Sequence, residues 1–120
     1  MSHNILLIQD DPADAKTVRE ALMHTSDGPF YVIWVRRCSE GLARLARDGK
    51  QDPQRTHGIA VVVVDLCLPD SHGIETFDRL FRAAPQIPIL ILSATHEEAI
   101  AKLAVQHGAQ DYLPKARLDG

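Results

Sequence analysis

The sequence predicts an α/β fold, a doubly wound five-stranded parallel sheet, and three observations carry the prediction. Short, almost wholly apolar runs alternate with amphipathic stretches, the pattern of βαβ units. The runs hold β-branched residues and hardly any polar ones, as strands do when helices cover both faces of their sheet. Pro, Gly, Ser and Asp punctuate the junctions, where helices must be capped or stopped.

The elements follow in order. Ile5-Leu6-Leu7-Ile8 is the first strand. Asp11 can cap the first helix and Pro12 suits its first position, with Val18 and Leu22 recurring at i, i+4. That helix ends before the turn Ser26-Asp27-Gly28-Pro29. Tyr31 to Val35 is the second strand, and its flanking Tyr31, Arg36 and Arg37 mark it as an edge. Ser39 is placed to cap a second helix carrying Leu42, Leu45 and Ala46, and the polar stretch from Arg47 to His57 reads as a long surface loop. Ile59 to Val64 forms the third strand and delivers Asp65. Ile74, Phe77, Leu80, Phe81 and Ala84 line a third helix closed by Pro85 and Pro88. Ile89 to Leu92 is the fourth strand. Thr95 or His96 opens a fourth helix with Glu97 and Glu98 in its first turn and Gly108 as its stop. Asp111-Tyr112-Leu113 is the fifth strand. The first, third and fourth strands should be central.

At 120 residues, 45% of them hydrophobic and 24% charged, the chain has the size of a single domain. A formal net charge of -3 supplies no basic field for nucleic acid or an anionic membrane. Cys38 and Cys67 form no CxxC pair, and no apolar run approaches the ~20 residues of a membrane helix. The N-terminal Met1-Ser2-His3-Asn4 lacks the layout of a signal peptide, so a cytoplasmic setting is expected. The six histidines are scattered at no metal-binding spacing.

In an open parallel sheet the carboxyl ends of the strands form one rim, where ligands bind. That rim should gather Asp10 and Asp11 from the first strand, Asp65 from the third, Ser93 from the fourth and Lys115 after the fifth. Three acids so placed repel one another unless a cation lies between them. Mg²⁺, a hard ion that takes oxygen ligands and keeps several waters, suits Asp10, Asp11 and Asp65. Lys115 adds a positive charge for a phosphate, the Ser93 hydroxyl can donate to it, and so can backbone N–H groups after Asp65 and Ser93, at Leu66 and Ala94. Phosphoryl transfer needs mainly positioning and charge neutralisation, and a carboxylate on a rigid strand end can be its nucleophile. Taken singly, Asp11 ahead of Pro12 serves equally as a helix cap, and Tyr112 as an amphipathic core residue.

At these residues the chain resembles a CheY-like receiver domain, the phosphoacceptor module of bacterial response regulators. "LLIQDD" resembles the first strand and acidic pair, "VVVVDLCLPDSHG" the phosphoacceptor strand and its loop, "ILILSA" the strand ending in Ser or Thr, and "GAQDYLPK" the last strand with its switch aromatic and lysine. Gly73 stands eight residues after Asp65, and Tyr112 three before Lys115. The resemblance implies a flavodoxin-like strand order 2-1-3-4-5 and a phosphoryl group accepted by Asp65 from a sensor histidine kinase or histidine phosphotransfer protein. It implies Mg²⁺ held by Asp11 and Asp65, with Asp10 mostly through water and the main-chain carbonyl of Cys67 completing the set, and Lys115 on the phosphate. Ser93 and Tyr112 would be the switch. The family's closing helix is absent after Gly120, so residues 1–120 are expected to be one receiver domain from a longer protein, and Ala116 stands where many members have proline. The ending "YLPKARLDG" resembles receivers that precede cyclic-di-GMP turnover domains. The resemblance implies a regulatory phosphoacceptor, acting catalytically on itself alone, that makes no direct contact with nucleic acid or membrane and admits a homodimer.

Three other readings stand beside it. An unphosphorylated interaction module would keep the fold alone. A phosphatase of the haloacid dehalogenase type would need a second acid two residues after the nucleophile, where Cys67 stands. A flavodoxin would need a phosphate cradle where the chain has Asp-Asp-Pro.

Overall fold

The apolar runs pair into one parallel sheet. In the computed structural model, which describes residues 3–23, 30–49 and 58–117, its strands are β1 (His3–Ile8), β2 (Phe30–Val35), β3 (Ile59–Asp65), β6 (Ile89–Ser93) and β7 (Asp111–Pro114). Their order is β2-β1-β3-β6-β7, and all four pairings are parallel. This is the expected 2-1-3-4-5 order, with three central strands between two edges. A small antiparallel hairpin, β4 (Cys67–Leu68) with β5 (Ser71–His72), is inserted after β3 and was not foreseen. Among the described residues no helix is long and apolar enough to cross a membrane.

Alternate residues of the central strands feed two cores, as the period of a strand requires. Leu6, Ile8, Val62, Val64 and Ile91 face α2 (Cys38–Gly49), α3 (Ile74–Ala83) and α4 (Glu98–His107), and are buried against Leu45, Phe77, Leu80, Ala101 and Ala104. Ile5, Leu7, Val63 and Leu92 face α1 (Pro12–Met23) and meet Ala15 and Val18. On that second face α1 is the only helix among the described residues, and Trp34, Leu90 and Leu113 are half-buried. Burial is the largest influence on Cys38 and raises its pKa, so this thiol stays protonated and inert.

Two boundaries differ from the sequence reading. Arg47, Asp48 and Gly49 continue α2, and Arg47 is exposed there, a straight-chain residue that loses little freedom in a helix; residues 50–57 of the expected loop lie outside the described residues. Ser39 does not cap α2. The helix starts at Cys38, and the cap is the carboxylate of Asp70, which accepts the N–H of Cys38 at 2.8 Å and that of Ser39 at 2.9 Å. Asp70 lies in the turn of the β4–β5 hairpin, more than thirty residues away in sequence, so no local pattern announces it. The hairpin is itself closed by Gly73, whose N–H reaches the Leu66 carbonyl at 2.8 Å. Its φ of 66° is one that glycine adopts freely. The loop that follows Asp65 is thereby clamped to α2 at one point and to its own start at another.

The slight burial of Asp70 favours its neutral form, but the bonds from the Ser39 and Cys38 N–H groups outweigh this and lower its pKa. A carboxylate whose pKa is lower in the folded state adds stability above its unfolded pKa, and that contribution fades as pH falls through the lowered value. Asp70→Ala should therefore cost about 1 kcal/mol at neutral pH, as cap removals do, or roughly 4 °C in Tm. Thermal melts should show the gap between wild type and variant narrowing in acid.

Candidate functional site

Strand register decides which side chains meet. Ile8 lies opposite Val64, so the next step along the two strands sets Gln9 beside Asp65. Asp65 lies opposite Leu92, and Ser93 opposite Pro114, so the turn after β7 carries Lys115 to the same rim. Asp65 is buried, with 2% of its surface exposed, and Gln9 with 1%. Both face the α1 side, in phase with Val63 and Leu7.

Three donors engage the Asp65 carboxylate. Oδ2 accepts from Lys115 Nζ at 2.5 Å and from Gln9 Nε2 at 2.8 Å, and Oδ1 accepts the N–H of Cys67 at 2.9 Å. Lys115 also lies 3.4 Å from Asp14, a first-turn residue of α1. Burial alone would lower the pKa of Lys115, but its hydrogen bond to Asp65 and the charges of Asp65 and Asp14 outweigh that, and the net shift is upward. The ammonium is thus fixed as a cation against a buried carboxylate. Around this pair is a hollow of about 260 Å³, to whose wall Asp10, Asp11, Cys67, Ala94 and Glu97 contribute. A larger hollow of about 610 Å³ adjoins it across Asp10, lined by Arg36, Arg37, Ser39 and Glu40. Its walls are exposed, so the smaller one, which holds Asp65, is the candidate site.

The sequence of the chain matches the family described as the response regulator receiver domain over residues 5–118. The chain belongs to that family. The receiver domain is 34% identical over 112 residues to the KDP operon transcriptional regulatory protein KdpE of Escherichia coli, which covers 93% of this chain. The chain spans 44% of that regulator's length, and 48% of a two-component response regulator from rice, Oryza sativa, to which it is 26% identical. Among solved structures, the bacteriophytochrome response regulator RtBRR is 29% identical with a TM-score of 0.74, over 96% of this chain and 70% of its own. The Mn²⁺-bound form of response regulator Rcp1 is 25% identical with a TM-score of 0.75, over 96% and 82%.

The receiver fold brings some of the sequence-predicted residues together and leaves others apart. Asp65 and Lys115 are in contact. Ser93 is buried at the end of β6. The N–H of Ala94 is taken by Glu97 Oε1 at 3.0 Å, while Leu66 is wholly buried and its carbonyl holds Gly73. Asp10 pairs with Arg36 at 3.5 Å, and Asp11 caps α1 through the N–H of Ala13 at 3.0 Å. Among the described residues, no three acidic, histidine or cysteine side chains are gathered as a metal cage. Cys67 has an exposed side chain and gives its N–H to Asp65. Tyr112 is half-buried, with its hydroxyl donating to Glu98 at 3.2 Å.

Sequence reasoning missed Gln9, Asp14 and Glu97. A census of charges at the rim passes over a neutral amide, although Gln9 directly follows the first apolar run. Asp14 had a readable signal: it stands three residues after Asp11, one helical turn along α1.

Lys115→Met leaves Asp65 buried with two hydrogen bonds and no cation, and should lower stability by about 2 kcal/mol. A base whose pKa is raised on folding contributes fully below its unfolded pKa, and the contribution is lost as pH rises through the folded value. Denaturant melts of wild type and Lys115→Met should therefore differ at neutral pH and converge in strong alkali.

Proposed function

We propose that this receiver domain takes a phosphoryl group from a phosphohistidine onto Asp65 and changes its surface in response, controlling an output domain or partner. The observation that carries the reading is the burial of the Asp65 carboxylate against the fixed ammonium of Lys115. A carboxylate oxygen attacks phosphorus, the P–O bond forms as the P–N bond to the donor imidazole breaks, and the imidazole leaves as the neutral base once it takes a proton. The protein's part is positioning and charge neutralisation. β3 holds the nucleophile rigid, and the Cys67 N–H orients Oδ1. Lys115 stands where negative charge grows on the transferred group.

The oxygen-rich hollow suits a hard divalent ion. Mg²⁺ would be held by Asp65 and Asp10, with Asp11 and the main-chain carbonyl of Cys67 as further oxygen donors, and would neutralise the phosphoryl oxygens. Ser93 and the Ala94 N–H are the remaining donors for the phosphoryl group, and Ala94 must first part from Glu97. Tyr112 reports the change, since the residue after Glu97 is the partner of its hydroxyl. A sensor histidine kinase or phosphotransfer protein in the cytoplasm is the donor, and residues 1–120 act as the receiver unit of a longer regulator.

With Mg²⁺ and acetyl phosphate, wild type should gain one hydroxylamine-labile phosphoryl group by intact mass. Asp65→Asn should gain none, and Lys115→Met should react roughly a hundredfold more slowly, the usual loss when one charge-stabilising donor is removed. Absence of uptake by wild type, or equal uptake by Asp65→Asn, overturns the reading.

A further inference from the structure

Among the described residues, Gln9 is the one neutral polar side chain in contact with the Asp65 carboxylate, and its orientation is fixed at both ends. Its Nε2 donates to Asp65 Oδ2 at 2.8 Å, while its Oε1 accepts the N–H of Asp11 at 3.0 Å. An acceptor at one end and a donor at the other leave a single arrangement of the amide. The end turned toward Asp65 therefore carries hydrogens and offers no lone pair to a cation. Presenting Oε1 instead would break both bonds of a side chain that is 1% exposed. The second acid at this end of β1, Asp10, already has a cation in Arg36.

We propose that Gln9 is a positioning residue that holds Asp65 in the cation-free state and keeps the pocket's affinity for Mg²⁺ low. The proposal rests on the Mg²⁺ site of the preceding reading and adds which residue sets its strength. An amide at this place lets the buried carboxylate exist without metal, bonded to Lys115, Gln9 and Cys67. A carboxylate there would repel Asp65 when the pocket is empty and attract a divalent ion strongly when one is offered. The domain is thereby folded over a wide range of Mg²⁺ concentration, and takes the ion up only where it is plentiful.

The molecule carries its own reporter. Trp34 Nε1 donates to the main-chain carbonyl of Gln9 at 2.7 Å, and the Arg36 guanidinium lies 5.9 Å from the Trp34 ring. A cation that draws Asp10 from Arg36 disturbs the indole, so the fluorescence of this single tryptophan follows binding.

The test is a titration with MgCl₂ alone, read by Trp34 fluorescence and by thermal melts, on wild type, Gln9→Glu and Gln9→Met. Gln9→Glu should bind Mg²⁺ at least tenfold more tightly than wild type, melt lower without the ion and gain more in Tm from it, because binding to the folded state alone stabilises it. Gln9→Met should melt lower and bind Mg²⁺ no more weakly than wild type, since the amide is no ligand and no longer holds Asp65 in the cation-free state. A Gln9→Glu chain that folds only when Mg²⁺ is added supports the proposal, and one that Mg²⁺ does not rescue overturns it. Saturable binding with equal constants for wild type and Gln9→Glu overturns it while leaving the Mg²⁺ site standing, as does a tenfold weakening in Gln9→Met. Absence of saturable binding in both wild type and Gln9→Glu removes the Mg²⁺ site itself, and this inference with it.

Discussion

The contact between Asp65 and Lys115 is the constraint on which the rest depends. A carboxylate with 2% of its surface exposed can remain in the interior only if donors satisfy it and a cation balances it. The partner comes from fifty residues further along the chain, and β6, α4 and β7 must all be in place before it arrives. The sheet order β2-β1-β3-β6-β7 is thus what makes the contact possible. It brings the carboxyl ends of β1, β3 and β7 to one rim, and register then decides which residue of each end faces the next.

The same constraint explains the build of the surrounding loops. The loop after β3 is held by the Asp70 cap on α2 and by Gly73 on Leu66, so the Cys67 N–H keeps a fixed aim at Asp65. At the end of β6 the chain turns through a 3-10 helix, Thr95–Glu97, into α4. Neighbouring glutamates divide the work there: Glu97 holds the Ala94 N–H, and Glu98 the Tyr112 hydroxyl. The rim and the surface of α4 are therefore tied down by adjacent residues.

Much of this was legible in the sequence, for physical reasons. Near-continuous apolar runs identify central strands because burial on both faces tolerates nothing else, and the flanking Tyr31, Arg36 and Arg37 identify β2 as an edge. Asp65 and Lys115 could be singled out because an open parallel sheet gathers the carboxyl ends of its strands at one rim, and both stand in motifs that resemble the receiver family's. Apart from Asp14 and Glu97, what escaped was non-local or neutral. The cap of α2 comes from Asp70 in the loop after β3, so Ser39, the locally obvious cap, was the wrong residue. The β4–β5 hairpin consists of two residues per strand and leaves no periodic trace. Gln9 escaped because it is neutral and adjoins two acids, Asp10 and Asp11, while parallel register places it against Asp65. A pairing of strands, unlike a motif, cannot be read from either strand alone.

The most direct test of the central claim is a double-mutant cycle between Asp65 and Lys115, with stabilities of wild type, Asp65→Asn, Lys115→Met and the double variant taken from denaturant melts. Groups that share a buried hydrogen-bonded charge pair should show a coupling of about 1.5 kcal/mol or more. Additive effects, with a coupling indistinguishable from zero, would mean that the two side chains do not meet in the folded protein, and would contradict the account.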